Sequence, residues 1–352
     1  MTTAKPKILF VMGSLNQTSQ MHQVAQHLPE YDAYYTQFFG NHPFIRLVTN
    51  AGLMDMSIMG PGSKFMQMSR EYMAANNMKY DYRGAQYQDE YVMVIMCTDI
   101  IIPKFFRKIK TVWLQEGMVD KVTTWSKIVK ALHLPRWFAK GTALNGSSNK
   151  VDLCCVASEG YKDFFIKMGV SPEKVMVTGI PNFDNLEQHR HNDFPYKDYV
   201  LVTTSDIRET LSKEDRPAFL RECTRIANGR RLIIRLHPNE QGDRARQEVA
   251  ENCPPDTLVL QEGNTNDMVA NCVELITQWS TVVYVGIALG KPVHSWFDVE
   301  ELYRLAPIQN GGTSAANVAD VCRAFLEWEG KSADFAKHYQ LHRLQTANPV
   351  TA

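Results

Sequence analysis

The sequence predicts an α/β protein of two Rossmann-like, doubly wound domains facing a cleft. Three observations carry this. Short apolar runs alternate with amphipathic stretches, the pattern of parallel strands joined by helices. The alternation weakens over residues 182–197, a polar segment holding His189, His191, Asn192 and Pro195, and then starts afresh. A length of 352 residues suits two domains, at ~100–200 residues each.

Residues 8–12, Ile-Leu-Phe-Val-Met, read as a first buried strand, followed by a loop at 13–16 and a helix at 17–28. A leader peptide is the competing reading, since Lys5 and Lys7 precede the run. The run is short, however, and passes into Gly13-Ser14-Leu15-Asn16 without an Ala-x-Ala-like site. Further strands are expected at 91–96, 111–114, 151–156 and 175–178, with a helix at 160–168. Beyond the polar segment come a strand at 199–203, a helix at 213–227, and strands at 231–236 and 257–260. A short helix at 266–272, a strand at 273–277, a helix at 281–289 and a strand at 293–296 follow, and a last helix runs from about 317 to 329. The expected domains are therefore 1–185 and 198–330, with a C-terminal helix or tail at 331–352.

Composition excludes several classes. The chain is 44% hydrophobic and 22% charged with a formal net charge of zero. That is ordinary globular composition with no bulk attraction to nucleic acid, so no nucleic-acid partner is expected. No run approaches the ~18 apolar residues needed to span a bilayer. The seven cysteines are odd in number and scattered, several in apolar runs. They read as small hydrophobes in a reducing, cytoplasmic setting.

Two segments carry chemistry. In Arg231-Leu-Ile-Ile-Arg-Leu-His237-Pro238-Asn239 a buried strand ends in His-Pro. Proline removes a backbone donor and fixes φ, so the strand stops and the imidazole is held at the sheet edge. A histidine there can donate to a phosphate, or protonate a departing one, because it titrates near neutrality. Alone, it would more often simply cap the strand. The second segment is Val273-Glu-Leu-Ile-Thr-Gln278-Trp279-Ser280-Thr281, ending at Gly290-Lys291-Pro292. Two hydroxyl residues open a helix, which is an N-cap and equally an anion site. Together, the two segments point to a diphosphate.

This pair of motifs resembles the nucleotide-binding lobe of GT-B enzymes, a pattern shared by bacterial sialyltransferases, CDP-glycerol glycerophosphotransferases and capsule polysaccharide transferases. The stretch Ala157-Ser158-Glu159-Gly160-Tyr161-Lys162, with Gly169 to Pro181 and Asp184, resembles the end of the first lobe in those enzymes and in non-hydrolysing UDP-N-acetylglucosamine 2-epimerases. The resemblance covers roughly 151–296 and is weak over the first hundred residues. It implies an acceptor-side first domain and a nucleotide-sugar-binding second domain. The implied activity is metal-independent, inverting transfer of a sugar from a UDP, CMP or CDP type donor to a glycan or lipid-linked acceptor in bacterial surface polysaccharide biosynthesis. No cofactor is implied. An epimerase, a CDP-polyol phosphotransferase and a non-catalytic binding protein are the alternatives. The epimerase pattern would put Asp-Ser-Gly-Gly where this chain has Gln278-Trp279-Ser280-Thr281.

The resemblance also directs attention to Gln115-Glu116-Gly117 after the strand at 111–114. The sialyltransferases carry an acidic-acidic-Gly motif whose carboxylate is the general base, which assigns that role to Glu116; Gln115 departs from the pattern. A solvated loop carboxylate is the bland alternative. Gly13 and Ser14 line the expected cleft with Gly117. They do not form Gly-x-Gly-x-x-Gly, so a dinucleotide site is disfavoured. Thr204 and Ser205, with Arg208 nearby, suit a phosphate, or are ordinary turn residues. Glu262 and Gly263 are expected to approach the nucleotide base. No Asp-x-Asp pair and no zinc-spaced His/Cys cluster occurs, so no metal site is expected.

Residues 101–140 hold Lys104, Arg107, Lys108, Lys110, Lys121, Lys127, Lys130, Arg136 and Lys140 against only Glu116 and Asp120, with Phe105, Phe106, Trp113, Trp125, Trp137 and Phe138 interleaved. Such a stretch docks on the inner face of an anionic membrane or holds an anionic glycan. The alternative is a solvated helical face with its aromatics in the core. Met54, Met56, Met59, Met66, Met68, Met73 and Met78 read as adaptable packing.

Overall fold

The computed structural model describes residues 4–37, 64–139, 141–205, 207–210 and 214–347. Met54, Met56, Met59 and Lys140 lie outside these, as do the side chains of Lys104 and Arg107. The chain divides into two compact units, Met1–Asp184 with Gly312–Ala352, and Asn185–Gly311.

The first unit opens with β1 (Lys7–Val11). α1 (Leu15–Gln26) is capped by Ser14, whose hydroxyl accepts the Gln17 N–H, satisfying a donor that the first helical turn leaves open. Then come β2 (Asp32–Thr36), α2 (Lys64–Ala75), β3 (Lys79–Tyr80), β4 (Tyr91–Met96), β5 (Lys110–Leu114), α3 (Thr124–Ala131), β6 (Leu153–Val156), α4 (Glu159–Lys167) and β7 (Val175–Val177). The seven strands are all parallel, in the order β3-β2-β1-β4-β5-β6-β7. Nearly every residue of β1, β4, β5 and β6 is buried, as expected of a parallel sheet covered on both faces.

The second unit holds β8 (Tyr199–Thr203), α5 (Arg216–Ala227), β9 (Leu232–Arg235), α6 (Gly242–Asn252), β10 (Leu258–Leu260), α7 (Thr265–Asn271), β11 (Cys272–Thr277), α8 (Val282–Ala288), β12 (Val293–His294) and α9 (Val299–Leu305). Its parallel sheet runs β10-β9-β8-β11-β12. In both units the strand order reverses beside the first strand, between β1 and β4 and between β8 and β11. Ligands of doubly wound sheets bind beyond the carboxyl ends of the strands at that switch.

The chain then returns to the first unit with α10 (Ser314–Glu327) and α11 (Ser332–Ala347). This differs from the expectation that the last amphipathic helix closes the domain at 198–330. The Lys110 ammonium donates to the carbonyls of Phe325, Leu326 and Trp328 at 2.6, 3.0 and 2.7 Å, capping the C-terminal end of α10 with a cation. The polar segment at the expected domain boundary is also structured. His189 Nδ1 lies 2.7 Å from an Asp267 carboxylate oxygen, and Asn192 pairs with Asn271, both beside α7. All seven cysteines are free, and only Cys253 is incompletely buried.

Candidate functional site

In the first unit the switch point gathers Gly13 and Ser14 after β1 and Gln115, Glu116 and Gly117 after β5. Ser14 is buried. Its hydroxyl, besides capping α1, donates to Glu116 Oε1 at 3.1 Å. Gln17 Nε2 donates to Glu116 Oε2 at 2.5 Å. Burial raises the Glu116 carboxyl above the ordinary glutamate range, although the two hydrogen bonds work the other way. A carboxyl perturbed in this sense is a stronger base once ionised. Gly13 stays free of a side chain beside Gln17, whose Oε1 would stand 3.3 Å from an added Cβ. Gly117 leaves room for the Phe183 ring, which would stand 3.2 Å from one.

The structure explains why position 115 is an amide. Gln115 is 1% exposed. Its Oε1 accepts the Ala157 N–H at 2.9 Å, and its Nε2 donates to the Gly117 carbonyl at 2.8 Å. A carboxylate could not make the second bond. Gln115 thus ties the Glu116 loop to the loop after β6, a positioning role that the sequence reading missed.

In the second unit the loops after β8, β9 and β11 come together. Thr203 on β8 is in register with Arg235 on β9 and Thr277 on β11. His237 follows β9. Its backbone N–H donates to Thr204 Oγ1 at 2.9 Å and to Glu240 Oε2 at 3.2 Å. The Asn239 N–H donates to His237 Nδ1 at 3.2 Å. With Nδ1 accepting, a neutral ring carries its proton on Nε2, so the ring is set as a donor from that nitrogen. Pro238 is exposed.

Glu240 is the residue that organises this turn, and sequence reasoning did not single it out. It is 4% exposed. Its Oε2 accepts from the Thr204 hydroxyl as well as from His237, and its Oε1 lies 2.8 Å from the Arg216 guanidinium. Arg216, itself 2% exposed, also makes a bidentate pair with Glu214 at 2.8 and 3.0 Å. Arg208, expected on phosphate, is part of the same cluster. It pairs with both Glu248 oxygens at 2.7 and 2.9 Å and lies 3.6 Å from Glu214 and from Glu240. Its role in the structure is to neutralise carboxylates beneath the turn.

Ser205, also after β8, is buried with no hydrogen-bond partner on its hydroxyl, and the same holds for Thr203 Oγ1, Thr277 Oγ1 and Gln278 Oε1. Buried polar atoms are normally paired. Here four that are not cluster at the carboxyl ends of the adjacent strands β8 and β11. Ser280 accepts the Val282 N–H at 3.3 Å through its hydroxyl, and Thr281 caps α8 without a side-chain bond. The Glu262 side chain is exposed. Gly263, at φ +97°, takes a left-handed conformation open to glycine, and an added Cβ would meet Met268 at 2.8 Å. Arg235 fixes this loop by donating to the carbonyls of Leu236, Gln261 and Gly263. Beside Gln278, a recess of about 330 Å³ is lined by Glu214, Phe219, Trp279 and Trp296.

No family model and no curated protein matches the sequence. Solved structures do match its fold. A putative UDP-N-acetylglucosamine 2-epimerase from Listeria monocytogenes superposes with a TM-score of 0.57 at 11% identity, over 94% of this chain and 98% of that one. A UDP-GlcNAc 2-epimerase from Neisseria meningitidis, bound to UDP-GlcNAc, gives 0.53 at 14% identity, over 90% and 99%. The wall teichoic acid polymerase TagF, soaked with CDPG, gives 0.50 at 12% identity, over 92% and 90%. At these identities the likeness is one of fold. The two parallel sheets and their helices give this chain the GT-B class of α/β architecture.

Proposed function

We propose that the chain is a metal-independent, inverting glycosyltransferase whose nucleotide-sugar donor is held by the second unit. The observation that carries this is the pairing of the His237 turn, whose ring is set to donate from Nε2, with the neighbouring ends of β8 and β11, where buried hydroxyls without partners line the topological switch point. His237, Ser205 and Ser280 supply donors for the diphosphate, and the start of α8 adds backbone N–H groups. As the acceptor oxygen attacks the anomeric carbon, the bond to the diphosphate breaks and negative charge grows on the departing phosphate. Fixed donors at that point lower the barrier. Glu116 takes the proton from the acceptor hydroxyl. UDP-GlcNAc in one structure of the same fold and CDPG in another support a nucleotide-linked donor, the first of them a nucleotide-sugar.

A thermal-shift panel of UDP, CMP, CDP and GDP tests the donor site, because a ligand that binds only the folded state raises Tm according to its affinity. One of the four is expected to stand out, and none doing so would remove the basis of the reading. His237→Ala is expected to abolish most of that shift and to lower turnover about 10²–10³-fold. Unchanged binding and turnover would show that the histidine merely ends a strand. Incubating UDP-N-acetylglucosamine without acceptor separates transfer from epimerisation: appearance of the manno isomer would replace the transferase reading with the epimerase one.

A further inference from the structure

We propose that the first unit docks on an anionic phospholipid surface through α3 and the turn that follows it. The basic, aromatic stretch at 101–140 separates into two parts in the structure. Phe106 and Trp113 are 1% and 0% exposed and belong to the core. Trp125, Ile128, Leu132, Leu134, Trp137 and Phe138 are 47, 42, 65, 36, 56 and 42% exposed. Six large apolar side chains thus stand in solvent within residues 125–138. Isolated exposed apolar residues need no explanation, but a contiguous patch of them marks an interaction surface.

The patch is built, not frayed. α3 buries Ser126 and Val129, the latter packed with Ala139 and Leu144. That face anchors the helix. Trp125, Ile128 and Leu132 recur at i, i+3 and i+7, which puts them together on another face. A helix with a polar outer face would need no partner; this one is apolar on two sides. The Trp125 indole N–H donates to the Phe138 carbonyl at 2.8 Å. Trp137 and Phe138 stack with centroids 4.0 Å apart. The aromatic groups are therefore held in place before any partner arrives.

Charge decides what the partner is. Between Lys121 and Lys140 the sequence contains no Asp or Glu. The carboxylate nearest in sequence, Asp120, accepts the Thr142 N–H at 2.7 Å. Lys121, Lys127 and His133 are exposed beside the patch. Lys130 and Arg136 are engaged within the protein, Lys130 donating to the Met168 carbonyl and Arg136 bonding Ser147 and lying 3.6 Å from Asp99. Indole and aliphatic groups flanked by lysines match the boundary between acyl chains and anionic headgroups. Among the described residues no helix is long and apolar enough to cross a membrane, so the contact is one that lies on the surface.

The test is flotation of the full chain with vesicles of phosphatidylcholine alone and with phosphatidylglycerol added. Binding is expected only to the anionic vesicles, weakening with salt, with a blue shift of tryptophan fluorescence. The double variant Ile128→Ser, Trp137→Ser is expected to lose roughly tenfold or more in vesicle affinity, and Lys121→Glu, Lys127→Glu to lose the preference for anionic lipid. Circular dichroism and the nucleotide panel should be unchanged in both, since neither pair touches the donor site. Absent vesicle binding by the native chain, equal binding by the Ile128/Trp137 variant, or a concentration-dependent dimer that the same variant abolishes would overturn the proposal, the last by assigning the patch to a second copy of this chain. None of these readouts depends on turnover, so a failed transferase assignment would leave the result standing.

Discussion

Replacing Glu116 with glutamine is expected to lower turnover by about 10²–10⁴-fold while leaving nucleotide binding by the second unit unchanged. The amide can still accept from Ser14 or Gln17, so the loop should keep its shape. A second readout separates a base from a merely structural carboxylate. Burial raises the Glu116 carboxyl in the folded protein above its unfolded value. The folded state therefore binds that proton more readily than the unfolded one. The stabilisation this gives is complete below the unfolded pKa and is lost as pH rises through the folded pKa. At neutral pH the native protein holds a half-buried carboxylate at a cost, and Glu116→Gln removes it. Tm should rise at neutral pH, by roughly 2–4 °C for each kcal/mol recovered, with the gain shrinking as pH falls. The wild-type pH profile of kcat/KM should climb through the raised pKa, and the variant should lack that limb. Retained activity together with a lower Tm would make Glu116 a structural group.

Glu240→Ala is expected to be the most damaging single change in the second unit. The carboxylate is buried against Arg216 and receives the Thr204 hydroxyl and the His237 N–H. Removing one partner of a buried ion pair costs about 3–5 kcal/mol, because the other is left uncompensated. Arg216 keeps Glu214, so the lower end applies. Denaturant titration should show the loss, and Glu240→Gln, which preserves the acceptor oxygen, should recover part of it. Because the carboxylate also fixes the turn, Glu240→Ala should weaken nucleotide binding without touching the ligand. A variant as stable as the native chain would mean the cluster contributes nothing.

The strands were legible because burial on two faces leaves an almost continuous apolar run. The spans 91–96 and 199–203 coincide with β4 and β8. β2 and β3 escaped, since Asp-Ala-Tyr-Tyr-Thr of β2 is buried only at Tyr35 and Thr36, and the two residues of the edge strand β3, Lys-Tyr, are exposed. α6 escaped because Ala245 and Val249 are its only fully buried residues, too few for a visible period. The loops at the strand ends could be read from the pattern, which brought out His237 and Ser280, whereas Glu116 was picked out by the resemblance. What holds those loops could not. The carboxylate partners of Arg208, namely Glu214, Glu240 and Glu248, could not be read because they are distributed along the chain. Long-range ion pairs leave no local signal. The exposed aromatics at 125–138 were equally ambiguous, because amphipathic spacing does not say whether an apolar face meets the core or the solvent.

The return of α10 and α11 to the first unit has a consequence for biosynthesis. The second unit, Asn185–Gly311, is an insertion: the chain leaves the first unit after Asp184 and re-enters at Gly312. Asp184 accepts the Ser314 N–H at 2.8 Å on one side of this junction, and Gln309 accepts the Leu186 N–H at 3.1 Å on the other. During synthesis, the inserted unit therefore has its full sequence before the host unit does. Domains tend to fold as they emerge, so here the later one in the chain can mature first. The host must wait with Lys110 unpaired until Phe325, Leu326 and Trp328 leave the ribosome. A chain stalled near residue 311 would carry a finished second unit on an unfinished first one, a form open to proteases and chaperones.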